Sequence, residues 1–247
     1  MKKDSVADGV RDFIEKLIEL VIGAVFLWML FVGVYAFVDA HGVTESGKLG
    51  DDVKAAAEEL KTQSDGKMDG LKAINNEIIG WITINDTQID QPIMQAKDNT
   101  KYLTRDYSGN FSTSGGVFVD YRNNKLEDEY SIIYGHRMKD GLMFSDVTKY
   151  VDETYFRAHS TGTVYTETKK YKAEVIGFSV INVASTDIYA IEKLQNNSAL
   201  AKAAFDRHAM YLSDTEIKAG DKLILLSTCD NDARFKRDVL LLRLVSD

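Results

Sequence analysis

Cysteine is nearly absent from this chain. Of 247 residues only Cys229 carries a thiol, so no disulfide can close within the molecule. Histidine is scarce as well, and His41, His136, His159 and His208 are scattered. No C-x-x-C or H-E-x-x-H pattern occurs; this argues against the usual metal sites, and no metal or other cofactor is implied. Positive charge is in the minority, with 30 Lys and Arg against 38 Asp and Glu and a formal net charge of −8. Nucleic-acid binding without regard to sequence needs clustered cations against phosphate, so no nucleic-acid partner is expected. Internal repeats and low-complexity tracts are also missing.

One stretch lacks charge altogether. Residues 20–38, "LVIGAVFLWMLFVGVYAFV", are apolar throughout. About 20 such residues cross a bilayer as a helix, whereas the apolar core of a cleaved signal peptide is only about 7–15 long. The expectation is a single transmembrane signal anchor over 20–38. Lys2, Lys3, Arg11 and Lys16 precede it and only Lys48 follows closely, which puts residues 1–19 in the cytoplasm and the rest outside. Residues 39–50, "DAHGVTESGKLG", read as a short stalk. The remainder, 51–247, belongs to a chain that is 45% hydrophobic and 28% charged, a balance suited to a folded domain rather than to disorder.

Within that domain, "DDVKAAAEELKTQ" (51–63) sets Val53, Ala56, Ala57 and Leu60 on one helical side behind two opening aspartates. A second short helix is expected near 68–75. The texture then turns to β-branched and aromatic runs at 80–84, 116–121, 131–136, 162–168, 171–182, 221–229 and 238–245, separated by turn-formers. Many short strands in one domain predict a barrel or a sandwich. One helix interrupts them, 199–212, with Ser198 as its cap.

Two strand ends carry candidate chemistry. "SIIYGH" delivers His136 and "LILLSTC" delivers Cys229 to the point where an apolar strand meets a polar loop. A thiolate attacks carbonyls far better than a thiol, and an imidazole can hold its proton and later give one to a leaving amine. An oxyanion formed on the way needs a cationic or N–H donor, and Arg234 or Arg237 can serve. Plainer readings stand beside these: a lone Cys as a small buried hydrophobe, a His as a structural hydrogen-bonder, arginines as surface charges. His159 and His208 fit that structural role, and His41 the stalk. Spacing alone leaves the matter open.

The blocks "YGHRMKDGLMF" and "LSTC…R", behind an apolar N-terminal segment, resemble the sortases of class B. The likeness extends through "NNEIIGWITINDTQIDQPIMQAKDNTKYLTRDYSGNFSTSGGVFVDYRN" (75–123) and covers about residues 51–245. It implies a mainly β fold: a closed eight-stranded barrel with N-terminal helices and one helix between strands six and seven, preceded by a single transmembrane helix. It also implies a cysteine transpeptidase on the outer face of a Gram-positive cell. Such an enzyme cleaves the C-terminal sorting signal of a secreted protein after Thr, holds the acyl group as a thioester and passes it to an amine, usually of the peptidoglycan cross-bridge. Polymerisation of pilin subunits is the alternative within the family; a non-catalytic, membrane-tethered binding module is the alternative outside it. By the same resemblance Cys229 is the nucleophile and His136 the general acid, titrating as a pair. The family arginine opens the last strand about seven positions before a hydrophobic residue, a register that Arg237 meets with Leu244. Its planar fork suits the oxyanion or the substrate backbone. Asn99, Leu103, Ser185, Tyr189, Ser227 and Thr228 match the peptide groove. Two positions depart from the pattern: Leu225 replaces a usual Thr, and Asp238 stands where an apolar residue is common.

Overall fold

The computed structural model describes residues 3–46, 48–62, 68–138, 142–229 and 236–246. They divide into two compact units, 1–45 and 46–247.

The first unit is the helix α1 (Lys3–Ser46). Its apolar stretch, Phe13–Tyr35, is long enough to cross a membrane, and none of its residues is buried. The polar segment expected as a stalk is helical as far as Ser46. Nothing in its composition stops a helix, since a single Gly42 costs only about 1 kcal/mol relative to Ala.

The second unit opens with α2 (Asp51–Thr62) and α3 (Asp69–Ile74). Helix α2 buries Val53, Ala57 and Leu60, the i, i+4, i+7 row that its sequence presents, with Asp51 and Asp52 at its positive end. That row packs with Leu71, Trp81 and Tyr102 on the outside of the sheet.

The strands are β1 (Ile78–Ile84), β2 (Asp90–Met94), β3 (Phe118–Val119), β4 (Tyr130–His136), β5 (Thr161–Thr166), β6 (Lys170–Asn182), β7 (Tyr211–Leu212), β8 (Lys222–Cys229) and β9 (Lys236–Ser246). Their order is β5-β1-β2-β3-β4-β8-β9-β6-β7, and a further β5–β6 pairing closes eight of them into a barrel. The ninth, β7, pairs with Gly177 and Phe178 of β6. Between β4 and β5 a 3-10 turn (Ser145–Val151) leads into α4 (Glu153–Ala158), whose cap, Asp152, accepts from the Thr154 and Tyr155 N–H groups.

Three refinements concern the connection from β6 to β8. It holds two helices, α5 (Ile191–Leu194) and α6 (Ser198–Asp206), in place of the single one expected. The expected helix 199–212 stops at Asp206 because Tyr211 and Leu212 leave it to pair with β6. The cap is Asn197, which accepts from the Leu200 N–H; Ser198 is already inside the helix.

Alternation along the central strands explains why they read as unbroken apolar runs. Ile133, Ile224, Leu226, Leu240 and Leu242 fill the barrel interior. Their neighbours Ile132, Leu223, Leu225, Val239 and Leu241 pack outward with Ile191, Leu194 and Phe205 of α5 and α6. Both faces are covered, so both are apolar. Leu225, one of the two departures from the family pattern, is a fully buried member of that outward layer.

Candidate active site

Strand β4 runs parallel to β8, with register from Tyr130↔Leu223 to His136↔Cys229. Parallel pairing puts the carboxyl ends of two strands at the same end of the sheet. His136 and Cys229, remote in sequence, are therefore Cα partners at the last rung of one ladder. Strand β9 runs antiparallel to β8, with Ser227↔Val239 as the last rung. Beyond it the Thr228 hydroxyl stands in for a rung: Oγ1 donates to the Asp238 carbonyl at 3.2 Å and accepts from the Asp238 N–H at 3.1 Å. This carries the register toward Arg237, one residue further back on β9. Asp238 is thus tied into the ladder by its backbone. Arg234 lies outside the described residues.

The His136 ring is half-buried, and its Nε2 lies 3.2 Å from the Leu103 carbonyl, to which Nε2–H donates. Leu103 ends a 3-10 turn, Lys101–Leu103. That turn is pinned by the Tyr102 hydroxyl, which donates to Glu77 at 2.6 Å, and by Lys101 Nζ on the same carboxylate at 2.7 Å. Gly115 completes the seat. Its φ is +60°, and a Cβ there would come within 2.7 Å of the His136 ring and 2.9 Å of the Leu103 carbonyl oxygen. Only glycine suits both the backbone angle and the space. Burial pushes the His136 value below the ordinary 6.5; the bond to Leu103 opposes this, and the Arg237 charge adds to the lowering.

A cleft of about 440 Å³ opens beside these residues, lined by Asn99, Leu103, Phe118, Tyr134, Val183, Tyr189 and Arg237. Its size falls within the usual range of ligand sites. Phe118 and Tyr134 lie 5.4 Å apart between ring centroids, and Tyr134 stacks near-parallel on Tyr189 at 6.4 Å. An aromatic floor with amide and guanidinium groups at its edge suits a peptide, whose backbone needs hydrogen bonds and whose side chains need apolar contact.

Of the groove residues expected from the sequence, Asn99, Leu103 and Tyr189 meet Arg237 in this cleft. The other three stand differently. Ser227 is fully buried, with its hydroxyl 2.9 Å from that of Tyr189, and so supports the floor from beneath. Thr228 is fully buried and spends its hydroxyl on Asp238. Ser185 sits exposed on the 3-10 turn Val183–Ser185, with Val183 rather than Ser185 facing the cleft. Phe118, Tyr134 and Val183 do not stand out in the sequence, because an apolar or aromatic residue in or near a strand reads first as core. Elsewhere, His159 stacks on Tyr155 at 3.7 Å and bonds to its carbonyl, a structural role. Among the described residues no group of three or more His, Cys, Asp or Glu converges on a metal site.

No family model matches the chain. Among curated proteins it is 32% identical over 243 residues to Sortase B of Listeria monocytogenes, covering 95% of this chain and 97% of that one. Among solved structures, sortase B from B. anthracis in complex with AAEK1 is similar with a TM-score of 0.66 and 35% identity, over 78% of this chain and 94% of the other. A sortase B complexed with triglycine is similar with a TM-score of 0.68 and 25% identity, again over 78% and 94%. The chain belongs to the class B sortases. It is a cysteine transpeptidase built on their closed barrel.

Proposed function

We propose that the cleft takes the C-terminal sorting signal of a secreted protein, and that Cys229, His136 and Arg237 process it. The Cys229 thiolate attacks the carbonyl carbon of the Thr in the signal. Arg237 hydrogen-bonds the oxyanion or the adjoining backbone. The C–N bond breaks, the nitrogen leaves with the electron pair and takes a proton from the His136 imidazolium, and a thioester remains. An incoming amine then attacks the thioester carbonyl, its proton returns to His136, and the C–S bond breaks to restore the thiolate. The observation that carries this reading is the ladder rung His136↔Cys229 beside a cleft that holds Arg237.

The amine is that of a peptidoglycan cross-bridge in this reading. The solved sortase B with triglycine bound supports a glycine amine as acceptor. Residues 20–38 hold the enzyme in the membrane, with residues 1–19 in the cytoplasm and residues 51–247 outside as the catalytic domain. The apolar helix Phe13–Tyr35 and the basic residues ahead of residue 20 support that topology.

The test mixes the protein with a library of pentapeptide sorting signals carrying Thr-Gly or Thr-Asn bonds, with and without triglycine. Transpeptidation predicts a new amide product that grows with triglycine concentration. Release of the free acid alone, unaffected by triglycine, would make the enzyme a hydrolase.

A further inference from the structure

A buried carboxylate behind the cleft bonds to two of its lining residues, Asn99 and Tyr134. Asp120 follows β3 and has no exposed surface. Its Oδ2 accepts from Asn99 Nδ2 at 3.0 Å, from the Tyr134 hydroxyl at 2.9 Å and from Arg122 Nη2 at 2.9 Å. Its Oδ1 accepts from Arg122 Nε at 2.9 Å and from the Arg122 N–H at 3.0 Å. Arg122 reaches onward, with Nη1 on Glu192 of α5 at 3.0 Å and Nη2 3.4 Å from the Tyr189 carbonyl. One carboxylate therefore ties together Asn99 and Tyr134 of the lining and, through Arg122, reaches the backbone of Tyr189. Burial pushes its carboxyl up, but Arg122 and the other donors outweigh this and hold it below the ordinary carboxylate value, so it stays an acceptor. Burial and the same carboxylate raise Tyr134, which stays a donor.

The consequence for Asn99 is specific. A carboxylate accepts and cannot donate, so it fixes the Nδ2 end of the amide; the Tyr121 N–H, a donor, fixes the Oδ1 end at 2.9 Å. The amide cannot flip without breaking both bonds. Among the described residues these are its bonds, which leave one N–H and one lone pair for a ligand, the complement of a peptide group.

We propose that Asp120 is the positioning residue of the cleft, locking the Asn99 amide in one orientation so that it reads the backbone of the bound peptide. The proposal rests on the peptide-cleaving reading above. Asp120 touches no reacting atom, so its effect falls on peptide recognition and bypasses the thiol.

The experiment uses the full-length protein in detergent and the pentapeptide that the wild type turns over fastest. Asp120→Asn is expected to raise KM about 10-fold, the loss of roughly 1.4 kcal/mol, with kcat within about 3-fold. Alkylation of Cys229 by iodoacetamide, which needs no peptide site, stays within about 2-fold of wild type. In an Asn99→Ala background the same change adds little, because the residue it positions is gone. Tyr134→Phe, which removes one donor from Asp120 and keeps the ring, shows a smaller KM effect and guards against misfolding of the Asn variant. An unchanged KM in Asp120→Asn, effects that add fully in the Asn99→Ala background, or alkylation slowed in step with turnover would each overturn the proposal. If no peptide is turned over by the wild type, it is the peptide-cleaving reading that fails.

Discussion

The inner and outer faces of β4, β8 and β9 share one set of hydrogen bonds yet follow different rules. Inside the barrel, Ile133, Ile224, Leu226, Leu240 and Leu242 form an apolar row, interrupted by the buried Ser131 and followed by Thr228 at the end of β8. On the outside the pattern changes from one end to the other. Leu223, Leu225, Val239 and Leu241 are sealed beneath α5 and α6, and then Ser227, Tyr134, His136 and Arg237 take over where the helices give way to the cleft. The same alternation serves burial at one end and polar function at the other. Rigidity comes from the inner face, and the proposed chemistry lies at the last rungs of the outer one. Substitutions on the two faces should therefore fail in different ways.

The largest effect is expected from Cys229→Ala, which removes the proposed nucleophile: turnover of a sorting peptide falls below detection while the thermal melt is unchanged. His136→Ala comes next, at about 10²–10⁴-fold in kcat/KM for the loss of a general acid. Arg237→Ala is expected to cost about 10²–10³-fold, the value of one oxyanion donor. If Arg237→Ala proves mild and Arg234→Ala severe, the wrong arginine has been assigned to the chemistry. Leu226→Ala breaks the other side of the comparison. It should lose about 2–5 kcal/mol of stability in denaturant melts, with the residual folded fraction still active. A loss of activity without a loss of stability would contradict the division of labour. Tyr189→Phe is smaller, removing the bond to Ser227, and should cost about 0.5–1.5 kcal/mol.

Titration sharpens the comparison further. In Cys229→Ala, the His136 ring followed by NMR should titrate below 6.5, since burial and Arg237 disfavour its charged form. Adding Arg237→Ala should move it upward. Because folding lowers this value, the unfolded chain takes up the proton first. His136 thus subtracts stability as pH falls through 6.5 and subtracts no more once pH is below the folded value. With Cys229 restored, a thiolate neighbour should raise the histidine again, and the size of that rise measures the coupling of the pair.

Much of this is legible in the sequence, for physical reasons that also explain the gaps. Strands β8 and β9 announce themselves because both faces are buried. Helix α2 does so through its Val53, Ala57, Leu60 row. Strand β2 escapes notice because "DQPIM" is short, polar at its start and contains Pro92. A proline is tolerated there because β3 meets β2 only at Met94↔Phe118, leaving the earlier residues without a strand partner on that side. The helix after β6 reads too long because its tail, Tyr211 and Leu212, changes allegiance to β6, a tertiary choice that local periodicity does not reveal. At the site, His136 and Cys229 stand out as polar ends of apolar strands. Asp120 and Arg122 do not, since "VDYRN" reads like any polar turn after a strand. Their importance comes from what the fold brings to them: Asn99 from one side, Tyr189 and Glu192 from the other.

The pairing of His136 with Cys229 is tested most directly by the rate of Cys229 alkylation by iodoacetamide across pH, wild type against His136→Ala. An isolated thiol ionises near ~8.5, so its alkylation falls steeply at neutral pH. The wild type is expected to keep a reactive fraction well below that pH, and His136→Ala to abolish it. Superimposable profiles in the two proteins would mean that the imidazole does not act on the sulfur, and the proposed machinery would have to be abandoned.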